Sequence, residues 1–176
     1  MKTLKQFTLA FCMILTFGAF AQSDKDHKIM SDADNARMKL IEADSTLSDY
    51  FDNAAGYVLF PNVGEGGLIV GGASGNGVVY ENGMPIGMAN LKKVDIGFQA
   101  GGQAIIEVIF FETEADLDDF KNGNFEFSAE ASAVAVESGV AVTAGYNDGV
   151  VAFALPKAGL MADASVGGQK FSFKSF

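Results

Sequence analysis

The chain has 176 residues, of which 49% are hydrophobic and 19% are charged, and its formal net charge is −10. A chain of this length and composition suits one domain with a packed core and is too hydrophobic for a disordered protein. The negative charge argues against a nucleic-acid partner, because binding to phosphates requires clustered Lys and Arg. A single Cys and a single His exclude Cys/His zinc sites and most nucleophile–base pairs. Composition therefore excludes these classes of site, and we expect no cofactor.

The first 21 residues have the features of a signal peptide. A basic start over residues 1–5 precedes an uncharged apolar run over residues 7–20, and Ala19-Phe20-Ala21 supplies the small residues that flank a cleavage site. The apolar run is shorter than the about 20 residues that a membrane span needs, and an uncleaved anchor is the alternative. We expect cleavage after Ala21, which leaves residues 22–176 as a single domain, periplasmic or secreted.

The segment after this leader predicts a long helix over about residues 28–55, since it contains no Gly or Pro. Ser31 and Asp32 are suited to cap an internal start, and Gly56 to stop the helix. Its apolar residues recur at steps of three and four, which places them on one stripe: Ile29, Ala33, Ala36, Leu40, Ala43, Leu47, Tyr50 or Phe51, and Ala54.

This apolar stripe has two interpretations. It packs on the core of the domain, which is the usual role of such a face, or it adsorbs to a membrane through Leu40, Leu47 and Phe51. Residues 24–55 carry eight acidic and four basic residues, whereas helices on membrane surfaces usually carry Lys and Arg on their polar face. An adsorbing helix would therefore bind anionic vesicles weakly at low salt and more strongly as salt screens the repulsion, and a basic patch would show the opposite dependence.

The middle of the chain, residues 56–111, predicts β-strands interrupted by glycines. The short apolar run Tyr57–Phe60 stops at Pro61. Twelve glycines between positions 64 and 102 favour bulges, bends and close backbone approach within a curved sheet.

Three local signals in and after this region are stronger than the rest. Asn82-Gly83 is a hairpin signal, and Ile105–Phe111, interrupted only by Glu107, predicts a central strand. A short helix follows, with Thr113 as its cap, Asp116 three residues later and Gly123 at its end.

The last third of the chain predicts further strands joined by turns. Alternating residues indicate strands over residues 125–135 and 140–146, separated by a turn at Glu137-Ser138-Gly139. Asn147-Asp148-Gly149 is a second turn signal, and it leads into an apolar strand over Val150–Leu155.

No motif predicts catalysis. His27 stands in a polar stretch just after the leader, and Ser74 lacks the second glycine of a nucleophile elbow. The acidic cluster over residues 112–119 matches a helix N-terminus better than a calcium loop, because its spacing does not fit an EF-hand. We therefore expect no enzymatic activity and nominate no catalytic, metal-binding or cofactor-binding residue.

Four segments resemble the motifs of the SYLF lipid-binding family, in the family's order. They are Ala54–Val63, Gly66–Val79, Ile96–Gln103 and Lys157–Gly168, and together they span nearly the whole chain after the leader. The resemblance implies a lipid-binding module without enzymatic activity, associated with phosphoinositides in eukaryotic members and with actin in fungal ones.

The partner that follows from this resemblance is a lipid or a membrane surface. We do not expect actin, because an exported protein would not meet it, and the lipid headgroup and oligomeric state are not predicted. Lys92-Lys93 is the only adjacent basic pair after the leader. It is a candidate contact for lipid phosphate, and the alternative is a solvated strand end.

Taken together, the sequence predicts an α+β fold: a long N-terminal helix packed on a curved, glycine-rich antiparallel sheet with one short inserted helix. The predicted function is that of an exported lipid-binding module of the cell envelope. The alternative is a small outer-membrane β-barrel or structural envelope protein, since the last strand of such barrels often has alternating aromatics, as at Phe171 and Phe173, and a terminal Phe, as at Phe176.

Overall fold

A computed structural model describes residues 24–65, 72–94, 104–125, 127, 132–157 and 166–176. The predicted leader lies outside the described residues, as do large parts of three of the four motif segments. Within the part of the chain that the structure describes, no helix has the length and apolar character needed to cross a bilayer.

The described residues form three helices and a seven-stranded sheet, which confirms the predicted α+β class. Helix α1 covers residues 24–43 and is followed by α2, Leu47–Asn53, and, after strand β4, by α3, Glu114–Lys121. The strands are β1 Gly56–Glu65, β2 Gly72–Glu81, β3 Met84–Val94, β4 Ile105–Phe111, β5 Val134–Ala135, β6 Val150–Pro156 and β7 Gln169–Ser175.

The strand order across the sheet is β5-β6-β4-β1-β2-β3-β7. Every neighbouring pair is antiparallel except β5 and β6, which run parallel. The predicted sheet was antiparallel throughout, whereas the described sheet is mixed. The described sheet is open, with β5 and β7 at its edges.

Strong curvature brings β7 over one face of the sheet. In a flat sheet, the four strand intervals between β4 and β7 would separate them by about 19 Å. Instead, the side chain of Gln169 on β7 donates a hydrogen bond to Glu107 on β4 at 3.0 Å. The rings of Phe171 on β7 and Phe60 on β1 lie 6.0 Å apart. The predicted curvature is therefore confirmed.

Side-chain alternation sends successive strand residues to two faces with separate cores. On the face that α1 and α2 cover, here called the helical face, Tyr57 and Leu59 of β1 pack with residues of both helices. On the opposite face, here called the inner face, Val58 and Phe60 pack with α3 and with phenylalanines of β7. The apolar stripe of the helices is thus part of the core.

The predicted single helix over residues 28–55 is wrong in one respect, because the helical segment breaks at Asp44. The carboxylate of Asp44 accepts hydrogen bonds from the backbone N–H of Thr46 at 3.0 Å and from its hydroxyl at 2.7 Å. Such local bonds compete with helical backbone bonding. The predicted cap at Ser31 and Asp32 is also wrong, since α1 runs through both residues.

Two glycine and proline predictions need correction. Gly56 does not end a helix: it begins β1, where an added Cβ would lie 2.7 Å from a methyl group of Leu117. Pro61 does not end β1, because the strand continues to Glu65. The register shifts between Leu59 and Val63 in this region, and such an irregularity accommodates proline in a strand.

The local signals of the turns and of α3 are confirmed. Asn82 and Gly83 both have positive φ, at 51° and 74°, as the two-residue hairpin turn between β2 and β3 requires. Thr113 and Asp116 form a reciprocal capping box at the start of α3. Beyond the end of α3, Gly123 has a φ of 74°.

The predicted strand over residues 140–146 is wrong, because tertiary bonds take up the backbone of this segment. The backbone N–H of Ala141 donates to Asp44 at 2.9 Å, and the carbonyl of Ala144 accepts a hydrogen bond from the hydroxyl of Tyr50 at 2.6 Å. The segment forms turns instead. Of the strand predicted over residues 125–135, the described residues contain β5, and residues 126 and 128–131 lie outside the description.

Candidate functional site

The three residues of the predicted lipid-contacting stripe lie in the core of the helical face. Leu40 and Leu47 are completely buried, and 5% of Phe51 is exposed. The ring of Phe51 lies 4.9 Å from that of Phe110 and 5.0 Å from that of Tyr57. Lipid contact through this stripe stays a prediction, and in this conformation it would require the helices to leave the sheet.

The two residues of the predicted basic pair lie on opposite faces of β3. Lys92 is exposed on the side of the sheet that carries α1 and α2, whereas Lys93 points to the inner face and is 7% exposed. The cause is the two-residue period of a strand, which sends adjacent side chains to opposite sides. The pair therefore provides one surface charge and one interior charge.

Strand pairing adds two lysines of β7 to the surface charge of Lys92. Lys170 stands directly opposite Lys92 across the β3–β7 pair, and Lys174 stands opposite Met88. Between them lie neutral polar residues in register, and all share the side of the sheet that carries the helices. We call this set the basic face: Ser74, Asn76, Asn90, Lys92, Lys170, Ser172 and Lys174.

Few carboxylates balance the basic face. Glu81 is the sole acidic residue of β2, β3 and β7, and it lies at the far end of β2, within 3.4 Å of Lys121. Like charges directly opposite in a sheet repel each other, so the cross-strand pair of Lys92 and Lys170 carries an energetic cost. A bound anion would relieve this repulsion.

The first turns of α1 border the basic face. Lys25 and Asp26 line a recess of about 130 Å³ together with Asn90, Ser172 and Lys174. The recess places another ammonium group near Lys174 and one carboxylate near the same edge. The amide of Asn90 contacts the Asn76 side chain at 3.2 Å, which orients the polar groups of the middle row.

Behind this surface, the inner face holds a buried polar cluster that sequence reasoning did not identify as a site. It consists of Lys93, Glu107 and Gln169, which are 7%, 0% and 4% exposed. Lys93 and Gln169 stand opposite each other across β3 and β7, adjacent in sequence to Lys92 and Lys170. The available signal was Glu107, the one charged residue within the apolar β4 segment.

The environment of Glu107 alters its acidity. Burial raises the pKa of its carboxyl group to about 7, although the hydrogen bond from Gln169 and the charge of Lys93 act in the opposite direction. The second carboxyl oxygen of Glu107 and the amide oxygen of Gln169 are both buried without a hydrogen-bond partner among the described residues. Glu107 is therefore able to change its protonation state near neutral pH.

Ser74 and His27, the two residues considered for catalysis, lie on separate elements. Ser74 lies within β2, where its side chain belongs to the basic face, and not on the strand-to-helix turn of a nucleophile elbow. His27 is exposed on α1. Within the described residues, no three His, Cys, Asp or Glu side chains are grouped closely enough to hold a metal ion.

A family model and a curated relative both match this chain. Residues 92–175 match the sequence model of the family Ysc84, described as "Las17-binding protein actin regulator". This match contains β4, β6 and β7 and all three members of the buried cluster.

A curated relative is beta cell expansion factor A of Aeromonas veronii, which is 30% identical over 141 residues. The alignment covers 79% of this chain and 53% of the relative, so the chain spans about half the length of that protein. Residues 92–175 therefore match the Ysc84 family, which is the SYLF family, and this match confirms the resemblance found in the sequence motifs.

Proposed function

We propose that this protein is an exported, non-enzymatic lipid-binding module of the cell envelope that contacts anionic membrane surfaces through its basic face. The observation that carries the proposal is the cross-strand arrangement of Lys92, Lys170 and Lys174 on one exposed surface. The match of residues 92–175 to the SYLF family supports lipid as the class of ligand. The features of residues 1–21 support export.

The chemistry of the basic face suits a phosphate-containing headgroup. Three ammonium groups supply the charge, while the hydroxyls of Ser74 and Ser172 supply neutral donors for phosphate or glycerol oxygens. Each lysine near an anionic membrane contributes about 1 kcal/mol. Three lysines on a protein with a net charge of −10 therefore predict weak, reversible and salt-sensitive binding.

The helical stripe is the competing site for lipid. Leu40 and Leu47 are completely buried on the sheet-facing side of the helices, whereas Lys92, Lys170 and Lys174 are exposed. The two sites predict opposite responses to salt. Binding through the basic face weakens as salt increases, and adsorption of the acidic helical segment strengthens.

Flotation with phosphatidylcholine vesicles that contain phosphatidylglycerol or phosphatidylinositol, across an ionic-strength series, tests this proposal. We expect the double substitution Lys92→Gln and Lys170→Gln to reduce binding about tenfold or more at low salt, since about 2 kcal/mol of electrostatic attraction is lost.

The matched control carries Lys39→Gln and Lys157→Gln, which make the same change in net charge at exposed positions outside the basic face. This control should retain most of the binding. Equal losses in both double variants, or binding that increases with salt, would contradict the role of the basic face.

Actin, which the family description names, is not part of the proposed function. Export would separate the protein from cytoplasmic actin. An anionic lipid surface, in contrast, is available to an exported protein and has the charge that the basic face attracts. The phosphatidylinositol vesicles in the flotation experiment test the headgroup that the SYLF resemblance implies, and phosphatidylglycerol tests charge alone.

A further inference from the structure

The buried cluster on the inner face contains an incomplete pairing between a carboxyl and an amide group. The amide nitrogen of Gln169 donates to one carboxyl oxygen of Glu107 at 3.0 Å. The other oxygen of Glu107 and the amide oxygen of Gln169 are both buried acceptors without a donor among the described residues. Each partner of the existing hydrogen bond therefore has one further buried acceptor that is not satisfied.

A protonated Glu107 would supply this hydrogen. The neutral carboxyl group would donate its O–H to the amide oxygen of Gln169 while still accepting from the amide nitrogen, so that two hydrogen bonds join the pair. We propose that Glu107 and Gln169 form a buried proton-binding site, in which Glu107 takes up a proton to close an acid–amide pair and releases it to leave a carboxylate facing Lys93.

The surroundings of Glu107 fit a group that changes charge in place. Its neighbours across β1 and β6 are Phe60 and Ala154, which are apolar and carry no charge. From β7 it meets the neutral Gln169, and Lys93 of β3 is the charged group of the described residues that acts on it. Burial without a strong ion pair raises the pKa of Glu107 to about 7, which brings proton release into the neutral range.

The proton site lies directly behind the basic face. Lys92 pairs with Lys170 across β3 and β7, and at the next position of the ladder Lys93 pairs with Gln169. Proton uptake by Glu107 removes one negative charge beside Lys93. Acidification would therefore make this end of the sheet more positive. Any effect of this change on lipid binding rests on the proposed function, whereas the proton site itself does not.

Carbon-detected NMR of the glutamate carboxyl groups tests the proton site in the full chain. We expect one glutamate to titrate near pH 7, to disappear from the spectrum in Glu107→Gln and to persist in Glu112→Gln, a control at an exposed position. A Glu107 signal that titrates in the range of exposed glutamates would overturn the proposal.

A second measurement uses the pH dependence of unfolding. The pKa of Glu107 is raised in the folded state, so its contribution to stability is complete below the unfolded value of about 4.5 and is lost as pH rises through about 7. The loss corresponds to an increase of up to about 300-fold in the unfolding equilibrium constant.

Glu107→Gln should fold, because a glutamine side chain makes both hydrogen bonds to Gln169 at every pH, and it should lack this loss of stability. An unchanged slope in Glu107→Gln would contradict the proposal, as would a bound water that satisfies both orphaned oxygens while Glu107 stays ionised at pH 5. Absence of vesicle binding in the wild type would refute the proposed function and leave the NMR result decisive for the proton site.

Discussion

Asp44 and Glu107 are both buried carboxyl groups, with 2% and 0% exposure, and yet the environment changes their acidity in opposite directions. Burial tends to raise the pKa of Asp44, but hydrogen bonds from Ala141 and Thr46 outweigh this and lower it to about 2. Glu107 accepts a single side-chain hydrogen bond, and its pKa rises to about 7. The hydrogen bonds to Asp44 outweigh the effect of burial, whereas at Glu107 burial outweighs the single hydrogen bond.

The two groups also differ in what they connect. Asp44 joins the α1–α2 junction to the segment around Ala141, which holds the helices against the helical face. Glu107 joins the centre of the sheet to its β7 edge. Asp44, which is ionised at neutral pH, therefore holds the helices on the sheet. Glu107, which we propose titrates near neutral pH, lies where the curvature of the sheet brings β7 to β4.

The largest predicted effect comes from removing the carboxylate of Asp44. Asp44→Ala should lower the free energy of unfolding by about 3 kcal/mol at pH 7, because it leaves the buried N–H of Ala141 without an acceptor and removes both bonds from Thr46. Chemical denaturation checks this, with Asp34→Ala at an exposed position of α1 as the control. A loss no larger than that of the control would show that the junction does not depend on Asp44.

A smaller effect separates the two adjacent lysines. Lys93→Met should destabilise the protein by about 2 kcal/mol at pH 8, because the ionised Glu107 loses the facing charge, and by less at pH 5, where Glu107 is protonated. Lys92→Met, on the exposed side of the same strand, should change stability by less than about 0.5 kcal/mol at either pH. Urea unfolding at both pH values distinguishes the two, and equal effects would mean that Lys93 does not act on Glu107.

The smallest effect concerns one donor to Asp44. Thr46→Val removes the hydroxyl bond of 2.7 Å and should cost about 1 kcal/mol at pH 7. Because the folded-state pKa of Asp44 lies below its ordinary value of 3.8, its contribution to stability is present above that ordinary value and is lost as pH falls through about 2. Thr46→Val should move this loss to higher pH in acid-unfolding curves. The contribution of Asp44 is lost as pH falls, whereas that of Glu107 is lost as pH rises. Superimposable acid-unfolding curves would contradict the assigned bond.

Local chemistry made several parts of the fold predictable. The positive φ values at Asn82 and Gly83 follow from two residues that tolerate them, and the capping box at Thr113 follows from groups three residues apart. Strand β4 was predictable because an apolar, β-branched run with both faces buried has few alternatives. The family resemblance was also present in the order of the motifs, and the family match confirms it.

The candidate site was only partly predictable. Sequence identified Lys92 and Lys93 as a pair, but the register of β3 against β7 determined that Lys92 joins Lys170 outside while Lys93 joins Gln169 inside. The predicted helix over residues 28–55 and the strand over residues 140–146 failed for a related reason. Both depend on Asp44, whose carboxylate bonds to Ala141, 97 residues away in the chain.

The sequence by itself therefore determined the α+β class, the local turns and caps, and the surface or core tendency of each segment, because these depend on residues a few positions apart. Tertiary structure alone decided the curvature that brings Gln169 to Glu107, the cover of α1 and α2 on one face, and the assembly of the basic face from separate strands. These features require contacts between distant residues, and alternation along a strand leaves the choice of partner to the register of the sheet.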